Sequence, residues 1–210
     1  HQQESAFKTE FPRLFQGLGH LSQDKSYHIT LSPKAEPVCE YTARKVPHPL
    51  LPKVKEEIDK MLANGVISPV TDPTEWCSGM VVVPKPNGGI RMCVDLTRLN
   101  KAIRREVHPM ASVDESLAKI NGSKIFTKLD ANSGFHQIPL DEESKLTTTF
   151  ITPFGRYCFN RLPMGISSAP EVFQRTMSSI LEGIDGVICH MDDILCHGTT
   201  QEEHDRRVKE

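Results

Sequence analysis

Residues 187–196 have the sequence Val-Ile-Cys-His-Met-Asp-Asp-Ile-Leu-Cys, and this segment sets the interpretation of the whole chain. Two apolar halves rich in β-branched residues flank two adjacent acids, which is the pattern of a β-hairpin that reverses at Met191-Asp192. Asp192 and Asp193 then lie at the bend, where their carboxylates repel each other unless divalent cations bind them. An isolated Asp-Asp pair is most often a solvated turn, so a metal site here requires a third acid nearby.

The candidate for the third acid is Asp130, at the end of a predicted strand over 124–130. From this strand onward the predicted order is strand, long insertion, helix, strand, strand, helix, and a capping box at 168–171 opens the first helix. This order supplies five of the six elements of a βαββαβ unit, the split ferredoxin-like α+β fold. In that topology the 124–130 strand lies beside the hairpin, so all three acids meet on one sheet. Three carboxylates suit two hard, oxygen-binding ions such as Mg²⁺.

The rest of the chain is predicted from its turn residues and apolar spacing. The predicted elements are an extended lead-in over 1–50 with apolar anchors at 11–15, a helix over 51–64, a hairpin of 80–83 with 90–94, and a hairpin of 146–152 with 156–160. Between residues 84 and 105 six Lys and Arg residues accompany a single acid, which favours either a phosphate-facing surface or an ordinary solvated one. Lys85 and Arg91 lie on opposite arms of the first hairpin, where they would fold over a triphosphate.

Composition bounds the class of protein. The 210 residues are globular in composition, with a formal net charge of −2, and no apolar run approaches the length of a membrane span. The six cysteines form no CxxC pair, as expected for reduced thiols in the cytosol or nucleus. Zinc binding by Cys189-His190 and Cys196-His197 is the alternative, but strand alternation sends each Cys and its neighbouring His to opposite faces. The chain begins without Met and without a signal peptide, as expected for a non-secreted fragment or processed piece.

Six blocks of sequence occur together in a fixed order. They are residues 73–78 (Pro-Thr-Glu-Trp-Cys-Ser), 91–96 (Arg-Met-Cys-Val-Asp-Leu) with Leu99-Asn100, 129–138 (Leu-Asp-Ala-Asn-Ser-Gly-Phe-His-Gln-Ile), 152–157 (Thr-Pro-Phe-Gly-Arg-Tyr), 162–170 (Leu-Pro-Met-Gly-Ile-Ser-Ser-Ala-Pro) with Phe173-Gln174, and the Asp192-Asp193 segment. In this order they resemble the reverse transcriptase domain of gypsy-type LTR retrotransposon polyproteins and, more distantly, retroviral reverse transcriptases. The resemblance covers nearly everything after residue 50.

The resemblance implies a fold of fingers and palm subdomains. The lead-in occupies 1–50, the fingers with the basic hairpin 51–123, and the palm 124–210, with a fingers segment inserted at about 139–165. The palm is expected to be truncated at its C-terminus, with the last βαββαβ strand missing and the thumb absent.

The implied activity is that of an RNA-directed DNA polymerase, which transfers dNTPs onto a primer 3′-hydroxyl by a two-metal mechanism. The implied catalytic acids are Asp130, Asp192 and Asp193, and the implied metal-binding set adds Ala131. The implied nucleotide-binding residues are Lys85, Arg91, Ser133, Gly134, Phe135 and Met164, with His190 and Met191 next to the primer. Phe135 falls where such enzymes place a ring beneath the incoming sugar, which excludes a 2′-hydroxyl; a core aromatic is the alternative.

The implied partners are a primed RNA or DNA template, dNTPs, and the downstream thumb, ribonuclease H and integrase modules of the same polyprotein, with no membrane. The implied cofactor is a pair of Mg²⁺ ions, with Mn²⁺ possible, and the expected location is the cytoplasm, in a virus-like particle, or the nucleus. Two positions depart from the family pattern: His190 replaces a usual Tyr, and Met164 replaces a retroviral Gln or a gypsy-type Phe. A catalytically inactive or host-adopted remnant that binds nucleic acid or a partner is the alternative function, and another templated polymerase that shares the palm is a third.

Overall fold

The structure, a computed structural model, describes residues 7–19, 21, 26–86, 88–105, 115, 118–191 and 193–210. The chain divides into two compact units, the first unit (residues 1–104 and 135–167) and the second unit (residues 105–134 and 168–210). Each unit contains its own β-sheet. The boundaries between lead-in, fingers and palm stay a prediction, because compactness alone does not define a functional subdomain.

Eight strands and five α-helices have bounds within the described residues, and residues 7–10, 115 and 118–119 are also helical. The strands are β1 (Ile67–Pro69), β2 (Ser78–Pro84), β3 (Ile90–Val94), β4 (Ile125–Asp130), β5 (Phe150–Thr152), β6 (Gly155–Phe159), β7 (Val187–His190) and β8 (Asp193–Gly198). The helices are α1 (Leu51–Ala63), α2 (Thr97–Ala102), α3 (Glu142–Thr147), α4 (Ala169–Ile180) and α5 (Gln201–Lys209), with 3₁₀ turns at Pro12–Phe15, His48–Leu50 and Gly134–Gln137. None of the described helices is long and apolar enough to cross a membrane.

The first unit is built on a five-stranded sheet of order β1-β6-β5-β2-β3. β2 pairs with β5 in parallel, and the other pairs are antiparallel. The predicted hairpin of β2 and β3 is confirmed, and the Lys85 N–H donates to the Gly89 carbonyl at 2.8 Å beyond the last strand pair. Asn87, in the predicted turn, lies outside the described residues. The predicted helix over 51–64 is also confirmed, and α1 buries Val54 and Ile58 completely.

The strand predicted over 146–152 is wrong in its first half. Residues 142–147 form α3, and only Phe150–Thr152 is a strand. The Asp141 side chain caps α3 by accepting a hydrogen bond of 2.9 Å from the Ser144 N–H. The run of three Thr residues suggested a strand because β-branched residues favour strands. Their hydroxyls instead donate to the carbonyls of the last turn of α3, three residues back in each case.

The apolar anchors predicted at 11–15 of the lead-in are wrong for Leu14 and Phe15, whereas Phe11 is half-buried and stacks on Phe7. Leu14 is 79% exposed and Phe15 is 50% exposed, whereas Tyr27 and Ile29 are buried. The Tyr27 N–H donates to the Pro139 carbonyl at 2.8 Å, which joins the lead-in to a later segment of the first unit. Buried apolar side chains with satisfied backbone groups therefore hold this irregular segment.

The second unit is built on a three-stranded antiparallel sheet of order β4-β8-β7. Chain order gives β4, α4, β7, β8, α5, and β8 lies between β4 and β7, which is the split arrangement predicted for these five elements. α4 begins where predicted, but the predicted capping box is wrong. Ser168 makes no side-chain cap, and Glu171 instead accepts a hydrogen bond from Arg105 at 2.5 Å.

Candidate active site

The β7–β8 hairpin is confirmed, and its reversal lies where the sequence placed it. His190 pairs with Asp193 across the two strands, so the connection consists of Met191 and Asp192. Met191 has φ +53°, a left-handed conformation that is uncommon for a residue with a side chain. Asp192 itself lies outside the described residues.

Asp130 and Asp193 lie directly opposite each other. They form the last residue pair between β4 and β8, the end of the register that begins with Ile125 and Gly198. Directly opposed residues of antiparallel strands share one face of the sheet, and like charges in that position destabilise the pair. The structure therefore brings together two of the three predicted acids, at one end of an exposed sheet face.

The same face presents a cation beside the acids. Lys128 is two residues before Asp130 on β4 and so points to the same side of the sheet. Its ammonium is 2.9 Å from Asp193 Oδ2. The hydrogen bond and the charge of Asp193 raise the pKa of Lys128, and the charge of Asp130 adds to this effect. His190, the cross-strand partner of Asp193, is exposed beside this pair.

A buried amide on α4 holds the hairpin tip. Gln174 is only 6% exposed. Its Nε2 donates to the Cys189 carbonyl at 3.0 Å, and its Oε1 accepts from the Met191 N–H at 2.7 Å. Sequence reasoning did not assign this role to Gln174, although an amide on the buried face of a predicted helix was the available indication.

The segment after β4 is a tight turn. The Gly134 N–H donates to the Ala131 carbonyl at 3.2 Å, and Ser133 has φ +52°. Gly134 is buried, and a Cβ atom there would lie 2.7 Å from Cζ of Phe173. Because Phe173 is fully buried and cannot yield, only glycine fits at this position.

In the first unit, the β2–β3 hairpin presents the predicted basic pair. Arg91 lies directly opposite Val83, and Lys85 follows Val83 by two residues, so all three share one side of the hairpin. Both basic side chains are exposed. The Lys53 ammonium donates to the Gly88 carbonyl at 2.6 Å and fastens the hairpin turn to α1.

Met164, also in the first unit, is displayed at a turn that Asn100 holds. Met164 is 61% exposed. Asn100 Nδ2 donates to the Gly165 carbonyl at 2.7 Å, and its Oδ1 accepts from the Ser167 N–H at 2.8 Å. Sequence reasoning placed Asn100 in a family block but did not assign it a role.

Phe135 is half-buried in the 3₁₀ turn at Gly134–Gln137, where its carbonyl accepts a hydrogen bond from the Ile138 N–H at 3.1 Å.

Residues 83–210 match the family model described as reverse transcriptase (RNA-dependent DNA polymerase). The chain belongs to the reverse transcriptase family. This reverse transcriptase chain is 34% identical over 211 residues to the retrovirus-related Pol polyprotein from transposon opus of Drosophila melanogaster, an alignment that covers 95% of the chain and 20% of that polyprotein. The predicted reverse transcriptase family is therefore confirmed, and the chain spans about a fifth of the length of this curated relative.

The fold of this reverse transcriptase chain is also that of solved family members. A crystal structure of a prototype foamy virus protease-reverse transcriptase mutant matches with a TM-score of 0.86 and 26% identity, over 99% of this chain and 28% of that one. A foamy viral protease-reverse transcriptase in complex with an RNA/DNA hybrid matches with a TM-score of 0.85 and 22% identity, over the same shares of the two chains. The predicted α+β fold of fingers and palm type is confirmed.

Reverse transcriptases use divalent metal ions, and the donor set of this chain fits such ions. Asp130 and Asp193 offer carboxylate oxygens, the ligands that Mg²⁺ prefers, on an exposed face where phosphate oxygens and water can complete an octahedron. Within the part of the chain that the structure describes, which leaves out Asp192, no group of three Cys, His, Asp or Glu side chains is placed to hold an ion. Among the described residues the candidate metal ligands are therefore the pair Asp130 and Asp193, and the third predicted acid, Asp192, directly precedes Asp193 in the sequence.

Proposed function

We propose that this chain is the RNA-directed DNA polymerase part of a gypsy-type retrotransposon polyprotein, and that it adds dNTPs to the 3′-hydroxyl of a primer. The observation that supports this most strongly is the opposition of Asp130 and Asp193 at the end of β4 and the start of β8. Two carboxylates directly opposed on an exposed sheet face are unfavourable by themselves and become favourable when a divalent cation lies between them. That arrangement suits phosphoryl transfer better than it suits a purely structural sheet.

In this proposal Asp130, Asp192 and Asp193 hold two Mg²⁺ ions, with the Ala131 carbonyl as a further ligand. Bound ions of this kind favour ionisation of the primer hydroxyl and neutralise charge on the leaving pyrophosphate. Gln174 fixes the backbone on both sides of His190, next to the acids, through its bonds of 2.7 and 3.0 Å. Preorganisation of this sort is what nucleotidyl transfer requires of a protein, since the reaction proceeds by positioning and charge stabilisation.

The residues that we propose for nucleotide binding act on different parts of the dNTP. Lys85 and Arg91 neutralise the triphosphate, Phe135 excludes a 2′-hydroxyl, and Met164 packs against the base or sugar. The N–H groups of Ser133 and Gly134 donate to phosphate oxygens. Since the Gly134 N–H already donates to Ala131 at 3.2 Å, a phosphate oxygen would share or replace that bond.

The proposed partners are a primed RNA or DNA template, with the primer end near His190 and Met191, and the downstream modules of the same polyprotein. The RNA/DNA hybrid in the foamy viral complex supports a nucleic-acid duplex as the ligand. We place the activity in the cytoplasm, inside a virus-like particle, or in the nucleus.

The test is extension of a DNA primer on an RNA template with Mg²⁺, by a polyprotein product that contains residues 1–210 uninterrupted. We expect incorporation of dNTPs that Asp130→Asn and Asp192→Asn each reduce about a hundred- to a thousandfold, the order of effect for loss of an electrostatic stabiliser of the transition state. Asp72→Asn, at an exposed acid of the first unit, is the matched control and should extend normally.

Two results would overturn the proposal. Undiminished extension by Asp130→Asn would remove the metal-site assignment. No extension by folded protein that still binds the primed template would favour the inactive, nucleic-acid-binding remnant instead.

A further inference from the structure

The acid pair already has a cation of its own. Lys128 places its ammonium 2.9 Å from Asp193 Oδ2, on the face that Asp130 and Asp193 share. The ion pair is exposed at both ends, with 64% of the Lys128 side chain and 54% of the Asp193 side chain accessible to solvent. Exposed pairs of this kind contribute little to folding stability. A role in the electrostatics of the acids therefore explains the position of Lys128 better than a role in packing.

A divalent ion and this ammonium would compete for the same carboxylate. An ion that binds Asp130 and Asp193 would share the Asp193 carboxylate with the Lys128 ammonium, and it is repelled by this nearby positive charge. Without an ion, the ammonium offsets the repulsion between two directly opposed carboxylates. Lys128 thus acts in opposite directions on the metal-free and metal-loaded site.

We propose that Lys128 is a built-in counter-ion that holds Asp193 until a divalent cation binds, and that it sets how much metal the site requires. This inference rests on the proposed function, because it assumes that Asp130 and Asp193 receive the ion. It makes Lys128 a positioning residue that acts through Asp193. It also predicts a combination of effects that loss of a merely structural lysine would not produce.

The test compares Lys128→Met with Lys128→Arg in the 210-residue chain. Binding of Mn²⁺ is measured by electron paramagnetic resonance of the free ion, at one pH and low salt. Lys128→Met should bind Mn²⁺ about ten- to fifteenfold more tightly than wild type, the order expected when a unit charge about 5 Å from a divalent ion is removed in a water-like dielectric at low salt. Lys128→Arg keeps the charge and should bind as wild type does.

Thermal unfolding supplies a second readout. Without metal, Lys128→Met should unfold at only a slightly lower temperature than wild type, because the opposed carboxylates lose a counter-ion whose exposed ion pair contributes little to stability. Its rise in unfolding temperature on addition of Mn²⁺ should be larger than that of wild type. A lysine that only packs would lower the unfolding temperature equally in both conditions.

Two controls fix the mechanism. Lys124→Met removes the same charge at a site about 20 Å from Asp130 along the strand direction, at six residues and about 3.3 Å each, and should leave Mn²⁺ affinity unchanged. In an Asp193→Asn background, Lys128→Met should tighten Mn²⁺ binding less than it does in wild type, because the contact with Asp193 is already gone and only the repulsion between the ammonium and the ion remains.

The outcomes distinguish the counter-ion proposal for Lys128 from the proposed metal site on which it rests. If Asp130→Asn weakens Mn²⁺ binding but Lys128→Met leaves it unchanged or weakens it, the counter-ion proposal is wrong and the metal site stands. If Lys124→Met tightens binding as much as Lys128→Met does, the effect is general electrostatics and the proposal is equally wrong. If Asp130→Asn binds Mn²⁺ as wild type does, the metal site itself is wrong.

Discussion

The backbone N–H of Met191 donates a hydrogen bond of 2.7 Å to Oε1 of Gln174. The other end of the same amide donates to the Cys189 carbonyl at 3.0 Å, so a single buried side chain on α4 spans the backbone of His190. Met191 has φ +53°, a conformation that persists in a non-glycine residue only when its surroundings enforce it. Gln174 of α4 therefore fixes the backbone at Met191, which the two-residue connection of the hairpin does not fix by itself.

Replacement of Gln174 by Met keeps the volume of the side chain and removes both hydrogen bonds. We expect the free energy of unfolding to fall by about 1–2 kcal/mol in a urea titration, because two half-buried backbone groups lose their hydrogen-bond partner. We also expect kcat for primer extension to fall more than KM changes, since the tip next to the acids loses its fixed geometry. Ser178→Ala is the control, because Ser178 contacts only the amide nitrogen, at 3.3 Å. Wild-type stability in Gln174→Met would mean that the clamp does not support the hairpin.

The sequence predicts the second unit well because its elements have local causes. The hairpin of β7 and β8 requires only two apolar segments on either side of a reversal. The register of β4 against β8 is also restricted, because a slip by one residue would turn Asp130 to the opposite face of the sheet. The pairing of β4 with the hairpin was predicted, but the side-chain contacts between distant segments were missed. Neither periodicity nor spacing indicates that Gln174 reaches Cys189, or that Lys128 reaches Asp193 rather than solvent.

The errors in the first unit have the same origin. The run of Thr residues at 147–149 has strand propensity, but the cap at Asp141 and three hydroxyl-to-carbonyl bonds favour a helix end. In the lead-in, the apolar character of 11–15 was obvious, whereas burial of Tyr27 depends on a partner more than 100 residues away, at Leu140. Local propensity therefore predicts the structure of a segment correctly only where no capping bond or long-range contact favours a different structure.

Asn100 is predicted to control how the Met164 turn is presented. Asn100→Ala removes the bonds to the Gly165 carbonyl and the Ser167 N–H, and we expect it to lower the free energy of unfolding by about 1–2 kcal/mol. If Met164 packs against the incoming nucleotide, KM for dNTPs should rise several-fold as well. Steady-state primer extension and urea unfolding measure the two effects.

A graded variant and a control sharpen that test. Asn100→Asp keeps the acceptor for Ser167 but turns a carboxylate oxygen toward the Gly165 carbonyl, so it should be at least as damaging as the Ala variant. Lys101→Ala changes an exposed neighbour on α2 and should leave both measurements near wild type. An Asn100→Ala protein with an unchanged KM for dNTPs would separate the Met164 turn from nucleotide binding.

The carboxyl of Asp95 is predicted to make folding sensitive to acid. Hydrogen bonds from Thr97 and then from Arg44 lower the pKa of Asp95 to about 2. An unfolded Asp has a pKa of about 3.9, so between about pH 4 and pH 2 the unfolded chain binds more protons than the folded chain. The stabilisation is therefore complete above about pH 4 and is lost as the pH falls toward 2. Asp95→Asn should flatten the decline of the unfolding free energy in this window.

Urea titrations at a series of pH values between 6 and the lowest pH at which the protein folds measure this slope. Asp72→Asn, at an exposed acid of the same unit, is the control and should leave the slope as it is in wild type. Because about a third of the Asp95 side chain is exposed, solvent screens its ion pair with Arg44, and the test concerns the direction of the change. Parallel pH profiles for wild type and Asp95→Asn would contradict the prediction.

Phe135 is predicted to select deoxynucleotides. Its ring is half-buried, and its backbone is fixed by the 3₁₀ turn at Gly134–Gln137, so it is held rigidly enough to act as a steric barrier to a 2′-hydroxyl. Phe135→Ala should lower the preference for dNTPs over rNTPs by about tenfold or more, with most of the change in incorporation of rNTPs. Single-nucleotide incorporation with matched dNTP and rNTP measures the ratio.

The core-aromatic alternative for Phe135 makes a different prediction. Loss of a ring that only packs would lower the free energy of unfolding by about 3 kcal/mol or more and reduce incorporation of both nucleotides equally. Phe135→Tyr keeps the ring and should retain the selectivity of wild type, which distinguishes bulk from chemistry at the site. A Phe135→Ala protein with reduced stability and an unchanged dNTP-to-rNTP ratio would assign the ring to packing, and deoxynucleotide selection would then have to come from a different residue.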